Sequence, residues 1–514
     1  MRYTCLFFRC LVSAAAMLSL VLLAVTAPAT AAGPLPILPG GHQGFGMETP
    51  AGSGRHLPVP QTRVIKVTSL NTDGPGSLRE ALQAEGPRVV VFEVAGNIDF
   101  TPYGSIGIKH PYLTVAGQTA PSPGITLKGC QLHINTHDVL IQHLRIRVGD
   151  LLDPTHPEVD AKSGWSQWSE RDTMKVGGER IVIDHCSFSW ATDENVQSRA
   201  RDVTFRQCIF SECLNSPKHH KGAHSKGLLI LDQSPPDRVI PESERESRGV
   251  AIIGNLFAHN ADRNPMASGG ATLAIINNYI YDARSKPGCG MTLVNPPRRG
   301  SRGGPILASV QGNCFDRVPA PIRFIATGDE PGKVFFDDML VSFSPGERPG
   351  YEALIQKTTD QRQFQDHLAG EQQPQPSETG VVTVRIDDPW TASHMLFFKT
   401  WMDRPIYPEK CKATRPPIVV KGLGIKPAEE TAAWVLAGAG ARPKDRDSVD
   451  ARVVEQVRSR TGEILKSQDD VGGWPDLPER RRKLIVPSNP SSDDDGDGYT
   501  NLEEWLHGFA AEVE

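Results

Sequence analysis

The chain has 514 residues, and its 55 Lys and Arg against 60 Asp and Glu give a formal net charge of −5. This near-neutral charge excludes a nucleic-acid binder that acts through bulk positive charge. The 48 glycines and 42 prolines lie between β-branched and apolar runs, which is typical of a turn-rich globular protein and not of a disordered chain. Length alone would allow three domains, but large solenoids exceed average domain size, so we expect one large body plus a tail.

The N-terminus has the pattern of a secretory signal peptide. Arg2 and Arg9 precede an apolar run over residues 11–25, and residues 29–31 (ATA) offer a small-x-small cleavage pattern. We therefore expect a signal peptide over residues 1–32, cleaved near residue 31, and a secreted protein without membrane association in its mature form. The alternative, a retained anchor, is disfavoured because the run is short for a bilayer.

The number and spacing of the cysteines do not indicate a disulfide framework. Nine are present, and Cys5 and Cys10 would leave with the signal peptide. The remaining seven are sparse, odd in number and without a CxxC pattern, so we expect most of them to be small buried residues.

Residues 64–343 consist of short apolar runs separated by Gly, Asn, Asp and Pro, which predicts short β-strands. Several runs share a template in which an apolar strand is followed by Cys or Asn and then by an apolar residue. The anchors of this template are separated by 22, 47 and 23 residues, and we interpret 47 as two periods with one coil that lacks a clear anchor. They are Cys186, Cys208, Asn255 and Asn278.

A period of 22 to 23 residues predicts a parallel β-helix, in which each coil pairs with the coils above and below it. Stacked Asn side chains can hydrogen-bond the neighbouring backbone, and Cys packs as a small apolar residue. A β-propeller would need about 40 residues per blade, and the consensus of a leucine-rich repeat is absent.

We divide the mature chain into three parts. Residues 60–345 form the β-helix, and residues 346–425 form a loop-rich extension that packs on it. Residues 426–514 form a partly helical tail, with helices predicted over 429–436 and 448–460, a polar linker up to residue 491, and an acidic loop over 493–504.

The period also predicts a cluster of acidic side chains. Asp172 and Glu194 are 22 residues apart, so in register they lie side by side, about 4.8 Å apart. Arg263 follows its anchor by eight residues, as Glu194 does, which places it in the same column. With Glu170 and Asp193 beside the column, a site for calcium and an acidic sugar is one interpretation, and ordinary solvated residues are the other.

Four separated motifs carry a family resemblance. In chain order they are residues 69–82 (SLNTDGPGSLREAL), 115–125 (VAGQTAPSPGI), 183–196 (IDHCSFSWATDENV) and 260–265 (NADRNP). Together they resemble the secreted pectate lyases of polysaccharide lyase family 1 over roughly residues 64–345. The resemblance implies a right-handed parallel β-helix, so the predicted fold class is all-β with a partly helical C-terminal tail.

The resemblance also implies a calcium site. The acidic-x-Asp pair of the family matches Glu170 and Asp172, and its second acidic cluster matches Asp193 and Glu194, of which the register favours Glu194. We therefore expect Ca²⁺ as the cofactor, held by these four residues.

The implied catalytic and substrate-binding residues follow. The Arg of the family's Arg-x-Pro motif matches Arg263, and its substrate-contacting Lys matches Lys226 best, with Lys218 and Lys221 as rivals. We expect Lys221, His224 and Arg263 to bind substrate. A further Arg of the motif is replaced here by Ser268, which leaves one expected contact to a substrate carboxylate missing.

The implied reaction is a β-elimination on pectate, an acidic polysaccharide. We also expect the protein to be a monomer. Calcium would acidify the C5 proton of a uronate, and a base would remove it. Arg263 is the family's base, but guanidinium stays protonated at ordinary pH, so Lys226 remains the alternative. A β-helix pectin hydrolase and an inactive polysaccharide-binding protein of the same fold are the competing functions.

The acidic loop near the C-terminus has the ligand spacing of an EF-hand. Acidic or amide residues occupy positions 1, 3, 5, 9 and 12, and Gly498 occupies the turn at position 6. We expect it to hold a structural calcium; a solvated acidic tail and half of a dockerin module, whose loops it also resembles, are the alternatives. The predicted ligands are Asp493, Asp495, Asp497, Tyr499, Asn501 and Glu504.

Overall fold

The computed structural model describes residues 35–41, 43–101, 104–150, 170–215, 219, 222–231, 248–284, 289–297, 304–325, 332–344, 381–386, 396–398 and 408–514. The chain divides into two compact units, Met1–Leu35 and Pro36–Glu514, and the second contains the elements described below. The predicted signal peptide, most of the 346–425 extension, Lys218 and Lys221 lie outside the described residues.

Short strands make up most of the described chain. The strands are β1 (Arg63–Val67), β2 (Arg88–Phe92), β3 (Val94–Asp99), β4 (Ser105–Ile108), β5 (Leu113–Ala116), β6 (Ile125–Lys128), β7 (Gln131–Gln142), β8 (Leu144–Arg147), β9 (Met174–Asp184), β10 (Ser187–Ser189), β11 (Glu194–Ser198), β12 (Arg201–Arg206), β13 (Ile209–Ser211), β14 (Lys226–Ile230), β15 (Val250–Ile253), β16 (Leu256–Ala258), β17 (Met266–Gly269), β18 (Thr272–Ile276), β19 (Tyr279–Tyr281), β20 (Cys289–Pro297), β21 (Leu307–Gln311), β22 (Cys314–Asp316), β23 (Ala320–Ile325), β24 (Lys333–Asp337), β25 (Met339–Phe343), β26 (Val382–Ile386), β27 (Leu396–Phe398) and β28 (Arg480–Arg481). The helices are α1 (Leu78–Gln83), α2 (Pro408–Cys411), α3 (Ala428–Gly438), α4 (Ser448–Arg458) and α5 (Asn501–Val513).

The strands stack as coils of a parallel β-helix, which confirms the predicted fold class. Along one face, β3, β6, β8, β10, β13, β16, β19, β22 and β25 pair in chain order, each parallel to the next. Antiparallel partners end this sheet, β28 beside β3 and β26 beside β25. They cover edges that would otherwise present unpaired backbone groups.

A sharp turn recurs immediately before each anchor residue. The backbone there takes a left-handed conformation, which Gly, Asn and other short polar residues accept most readily. At Gly254 and Gly312 an added Cβ would also collide with neighbouring side chains. The turn residues are His185, Gln207, Gly254, Asn277 and Gly312, with φ between 49° and 66°.

The anchors form an asparagine ladder, as the sequence predicts. Asn278 accepts hydrogen bonds from the backbone N–H (3.0 Å) and side-chain Nδ2 (2.9 Å) of Asn255, and its own Nδ2 donates to the Ile252 carbonyl at 2.8 Å. Asn313 repeats this arrangement below Asn278. Every rung satisfies a buried backbone group that the turn would otherwise leave unpaired.

The coil count between Cys208 and Asn255 was wrong. The Cys208 N–H donates to Asn255 Oδ1 at 2.8 Å, and β12 pairs directly with β15, so the two anchors occupy adjacent coils. The 47 residues form one coil, in which β14 pairs with β11 and β17 as a regular strand and whose extra length includes residues outside the described part. No coil without an anchor is needed.

The interior of the coils is apolar and tightly packed. Phe188, Phe210 and Phe257 stack in register, with ring centroids 5.2 and 4.8 Å apart. The seven cysteines in the described part of the chain are buried and free of disulfides, as predicted; burial raises the pKa of the Cys186 thiol to about 12.

The C-terminal segment packs along the solenoid. The predicted helices are present as α3 and α4, which cover apolar residues of β13, β16, β19 and β22. Leu465 and Leu484 are buried in the segment predicted as a polar linker, and Trp474 packs edge-on against Trp190, so this segment is part of the packed structure. Among the described residues, no helix is long and apolar enough to cross a membrane.

Candidate functional site

Four polar residues lie in register at or just before the starts of consecutive strands of the larger sheet. Glu194 at the start of β11 pairs with Lys226 at the start of β14, and Lys226 bridges in parallel to Asp262. On the other side, the Glu194 N–H donates to Asp172 Oδ1 at 3.3 Å, as expected for residues one coil apart. The register thus brings Asp172, Glu194, Lys226 and Asp262 into one column.

Arg263 lies one residue outside this column, because the column residue Asp262 follows its anchor Asn255 by seven residues, whereas Glu194 follows Cys186 by eight. Its backbone turns with φ of +61°, and its guanidinium nevertheless forms an ion pair with Glu194. Its cation therefore reaches the acidic cluster even though Asp262 takes the register position predicted for it.

The carboxylates of Asp172, Asp193 and Glu194 converge, with one oxygen from each within 4.8 Å of the others. Asp172 and Glu194 are almost fully buried. Asp172 Oδ2 is buried without a hydrogen-bond partner among the described residues, and the nearest ammonium, Lys175 Nζ, lies 3.6 Å away. Burial raises the pKa of Asp172 well above its usual value, Lys175 opposes this, and the charge of Asp193 adds to it.

This arrangement fits a divalent cation. Burying several carboxylates together is costly unless positive charge compensates them, and the Asp172 oxygen accepts no hydrogen bond from its one ion-pair neighbour, Lys175. A donor set made only of carboxylate oxygens suits calcium better than softer metals. Glu170 is described but is not among the three converging carboxylates.

Two histidines hold Asp193. His224 Nε2 lies 2.7 Å and His219 Nε2 3.8 Å from Asp193 Oδ1, and the two rings stack with centroids 4.0 Å apart. Burial alone would raise the pKa of Asp193, but the hydrogen bond with His224 and nearby positive charges hold it below its usual value. His224, predicted to bind substrate, is thus positioned to orient a carboxylate of the cluster.

Cations gather on the other side of the cluster. Lys226 Nζ lies 3.8 Å from Asp262 Oδ2, and Arg323 Nη2 lies 3.1 Å from both carboxylate oxygens of Asp262. The Ser268 hydroxyl is buried and donates to the Ile230 carbonyl at 3.4 Å, so it faces away from these cations.

Sequence reasoning missed Asp262, Lys175 and Arg323. Asp262 had a signal, because it lies within the NADRNP motif directly before Arg263. Arg323 had none, since it is 61 residues from its partner and alternates with apolar residues as any outward residue of a strand does.

The Asp184–His185 pair belongs to a different cluster. His185 Nδ1 lies 2.9 Å from Asp184 Oδ1, which also accepts from Arg206 at 3.0 Å. His143 stacks on His185, and its Nε2 lies 3.3 Å from Glu514 Oε1. These bonds fix a turn and hold the C-terminal segment, which is a structural role.

The acidic loop before α5 is exposed and preformed. Carboxylate oxygens of Asp493, Asp495 and Asp497 lie within 4.8 Å of one another. Asp493 accepts from the Gly496 N–H at 2.7 Å and from the Gly498 N–H, at loop position 6, at 2.9 Å, which closes the turn. Glu504 follows on the first turn of α5, where desolvation and the neighbouring aspartates raise its pKa. Tyr499 and Asn501 occupy the remaining predicted ligand positions.

Curated proteins resemble the chain over most of its length. It is 26% identical over 490 residues to the probable pectate lyase C of Aspergillus flavus, covering 91% of this chain and 92% of that protein, and 26% identical to its counterpart in Aspergillus oryzae over the same shares. This chain is a relative of proteins named probable pectate lyase C. The resemblance found in the sequence motifs is thereby confirmed.

Other comparisons are more distant. The probable pectate lyase C of Neosartorya fischeri is 30% identical over 246 residues, which is 47% of each chain. Pectate lyase II of Xanthomonas campestris aligns with 79% of this chain and all of its own, at 13% identity and a TM-score of 0.41. No protein-family model matches the chain.

Proposed function

We propose that this protein is a calcium-dependent pectate lyase, which cleaves polygalacturonate by β-elimination into 4,5-unsaturated oligogalacturonides. The observation that carries the proposal is the contact between a buried carboxylate cluster and a row of cations. Asp172, Asp193 and Glu194 offer oxygens for a divalent cation, and Lys226 and Arg263 lie next to them. The names of the relatives support the same activity.

The residues of the cluster would have different roles in the reaction. Asp172, Asp193 and Glu194, with Glu170 as a further candidate, would hold calcium, which when bound withdraws electrons from the substrate carboxylate and acidifies the C5 proton. His224 keeps Asp193 oriented. Glu194 cannot be fully engaged by both a cation and Arg263, so metal loading would turn the Arg263 guanidinium toward substrate.

Either Arg263 or Lys226 removes the C5 proton, and the other binds the substrate. A guanidinium is a poor base but an excellent bidentate partner for a carboxylate, whereas an ammonium loses its proton more easily. Arg263→Lys and Lys226→Met separate the roles through the pH dependence of kcat. If Arg263→Lys keeps a rate near wild type, Arg263 is not the base.

One assay tests the proposal. Polygalacturonate should yield a product with the ultraviolet absorbance of a 4,5-unsaturated uronide, and a chelator should abolish its formation until calcium is restored. New reducing ends without that absorbance would show a hydrolase instead. Tight binding of polygalacturonate without turnover in excess calcium would show an inactive binding protein.

We also propose that the protein is secreted as a monomer and acts on no nucleic acid. The support is the N-terminal sequence pattern and the near-neutral charge. Sequencing the N-terminus of the exported protein should find it near residue 32. Light scattering should give the mass of one chain.

A further inference from the structure

Arg323 extends the row of cations beyond the residues that the motifs identify. It lies on β23, where its neighbours Ile322 and Phe324 are fully buried, so the alternation of the strand directs Arg323 outward. Its register partners are Thr292 and, one strand further, Met266, just after the Arg263 turn. The backbone of Arg323 is therefore two strands, about 10 Å, from the coil of Arg263.

The side chain of Arg323 reaches back toward the site. Its Nη2 lies 3.1 Å from both oxygens of Asp262, the residue that also faces Lys226 at 3.8 Å and directly precedes Arg263. The Arg323 side chain remains 17% exposed. Asp262 thus aims a guanidinium along the same outer face as Lys226 and Arg263.

The guanidinium has hydrogen-bonding capacity left. It carries five N–H donors, and a single terminal nitrogen serves Asp262 in the bonds above. Its Nε is buried without a hydrogen-bond partner among the described residues. A carboxylate is the ligand whose two oxygens match a guanidinium fork.

The local charge balance also favours an anionic ligand. Three cations, Lys226, Arg263 and Arg323, share Asp262 and Glu194. If Glu194 is engaged by calcium, one carboxylate fewer is left to balance these three cations. A chain that carries one carboxylate per sugar would supply the missing negative charge.

We propose that Arg323 binds a uronate carboxylate of the polysaccharide, at a sugar beyond the cleaved bond and on the side of the cleft away from Asp172. This rests on the proposed function, because it assigns a binding position for the same substrate. Arg323 is a specificity-determining residue: it favours the binding of substrates that are long enough to reach it and that carry a free carboxylate there. It takes no part in proton transfer.

The experiment compares Arg323→Ala and Arg323→Lys with Arg248→Ala. Arg248 is a matched control, because it is a partly exposed arginine paired with Asp202 and Glu179, which belong to another part of the surface. On polygalacturonate, Arg323→Ala should lower kcat/KM by about 10- to 100-fold, mainly through KM. Arg323→Lys should lose less, and Arg248→Ala should match wild type.

Substrate length separates binding from a merely structural role. With oligogalacturonates of increasing length, kcat/KM of the wild type should rise at the length that first reaches Arg323, and this rise should be absent in Arg323→Ala. An equal loss at every length, or no loss at any, would overturn the proposal. Melting temperatures of all variants report whether the Asp262 pair is needed for folding.

The proposed function can fail separately. If the wild-type protein forms no unsaturated product, calorimetric titration with the same oligogalacturonates in calcium still tests Arg323. A length-dependent gain in affinity that Arg323→Ala removes would support the binding position. A gain that survives in Arg323→Ala would refute it.

Discussion

At the scale of single residues, Asp172 combines full burial with an oxygen that lacks a hydrogen bond. Asp172→Asn should reduce calcium-dependent activity at least about 100-fold, because a neutral amide is a weak calcium ligand. In a chelator, the variant should be as stable as wild type or more stable, since it no longer buries a carboxylate oxygen that accepts no hydrogen bond. Melting temperatures with and without calcium measure both effects.

Asp184 is the matched control for Asp172. It is equally buried but accepts hydrogen bonds from Gln142, Arg206 and His185. Asp184→Asn should therefore lower the melting temperature with or without calcium. If Asp172→Asn behaves in the same way, its carboxylate is structural and does not bind metal.

His143 makes stability depend on pH. Burial lowers its pKa to about 4, against opposing effects of Glu514 and Asp184, whereas the unfolded chain has a histidine pKa near 6.5. The unfolded state thus binds more protons between pH 6.5 and 4, so stability falls as pH falls through this window, by about 3 kcal/mol for this group. Urea unfolding at several pH values measures the slope.

The corresponding variant is His143→Asn. It should be less stable at pH 7, because the contacts of the ring are lost, but its stability should vary less between pH 6.5 and 4. An unchanged slope in His143→Asn would assign the pH dependence to other groups.

At the scale of elements, the asparagine ladder joins successive coils through buried polar groups. Asn278→Ala removes the acceptor of two Asn255 donors and the donor to the Ile252 carbonyl. Because buried groups are left unsatisfied, we expect a loss of about 2 to 4 kcal/mol, seen as a lower urea midpoint. Asn71→Ala, at an exposed position, should change the midpoint little.

The same ladder shows what the sequence could predict. Asp172 and Glu194 were placed side by side because 22 residues make one coil without an excursion. Between Cys208 and Asn255 the coil is lengthened by an excursion, so counting periods added a coil. Asp262 follows Asn255 by seven residues, whereas Glu194 follows Cys186 by eight, so counting from the anchors placed Arg263 in the position that Asp262 takes. The position of Arg323 near the site depends on the pairing of two further strands and on a side chain that extends back to Asp262. No local sequence pattern encodes either of these.

At the scale of the whole molecule, the C-terminal segment runs back along the solenoid to its first coils. Leu502 and Leu506 of α5 pack on Val89 and Val91 of β2. The acidic loop that starts α5 is thus tied to the N-terminal coils, whereas Asp172 leads into β9. Calcium at the two places should contribute separately to stability, since distant sites are usually additive.

Asp495→Asn tests the loop. Calcium at a hundredfold excess over Kd should stabilise the folded protein by on the order of 3 kcal/mol per site, which raises the melting temperature. Asp495→Asn should remove the part of this rise that comes from the loop and leave kcat unchanged. Asp172→Asn should lose activity but keep the loop's share of the rise, and the double variant should lose the rise altogether. Asp494→Asn, at loop position 2, is the matched control with the same charge change. If Asp494→Asn and Asp495→Asn respond alike, the loop acts only through its charge, and no calcium ligand set is needed to explain how α5 is held.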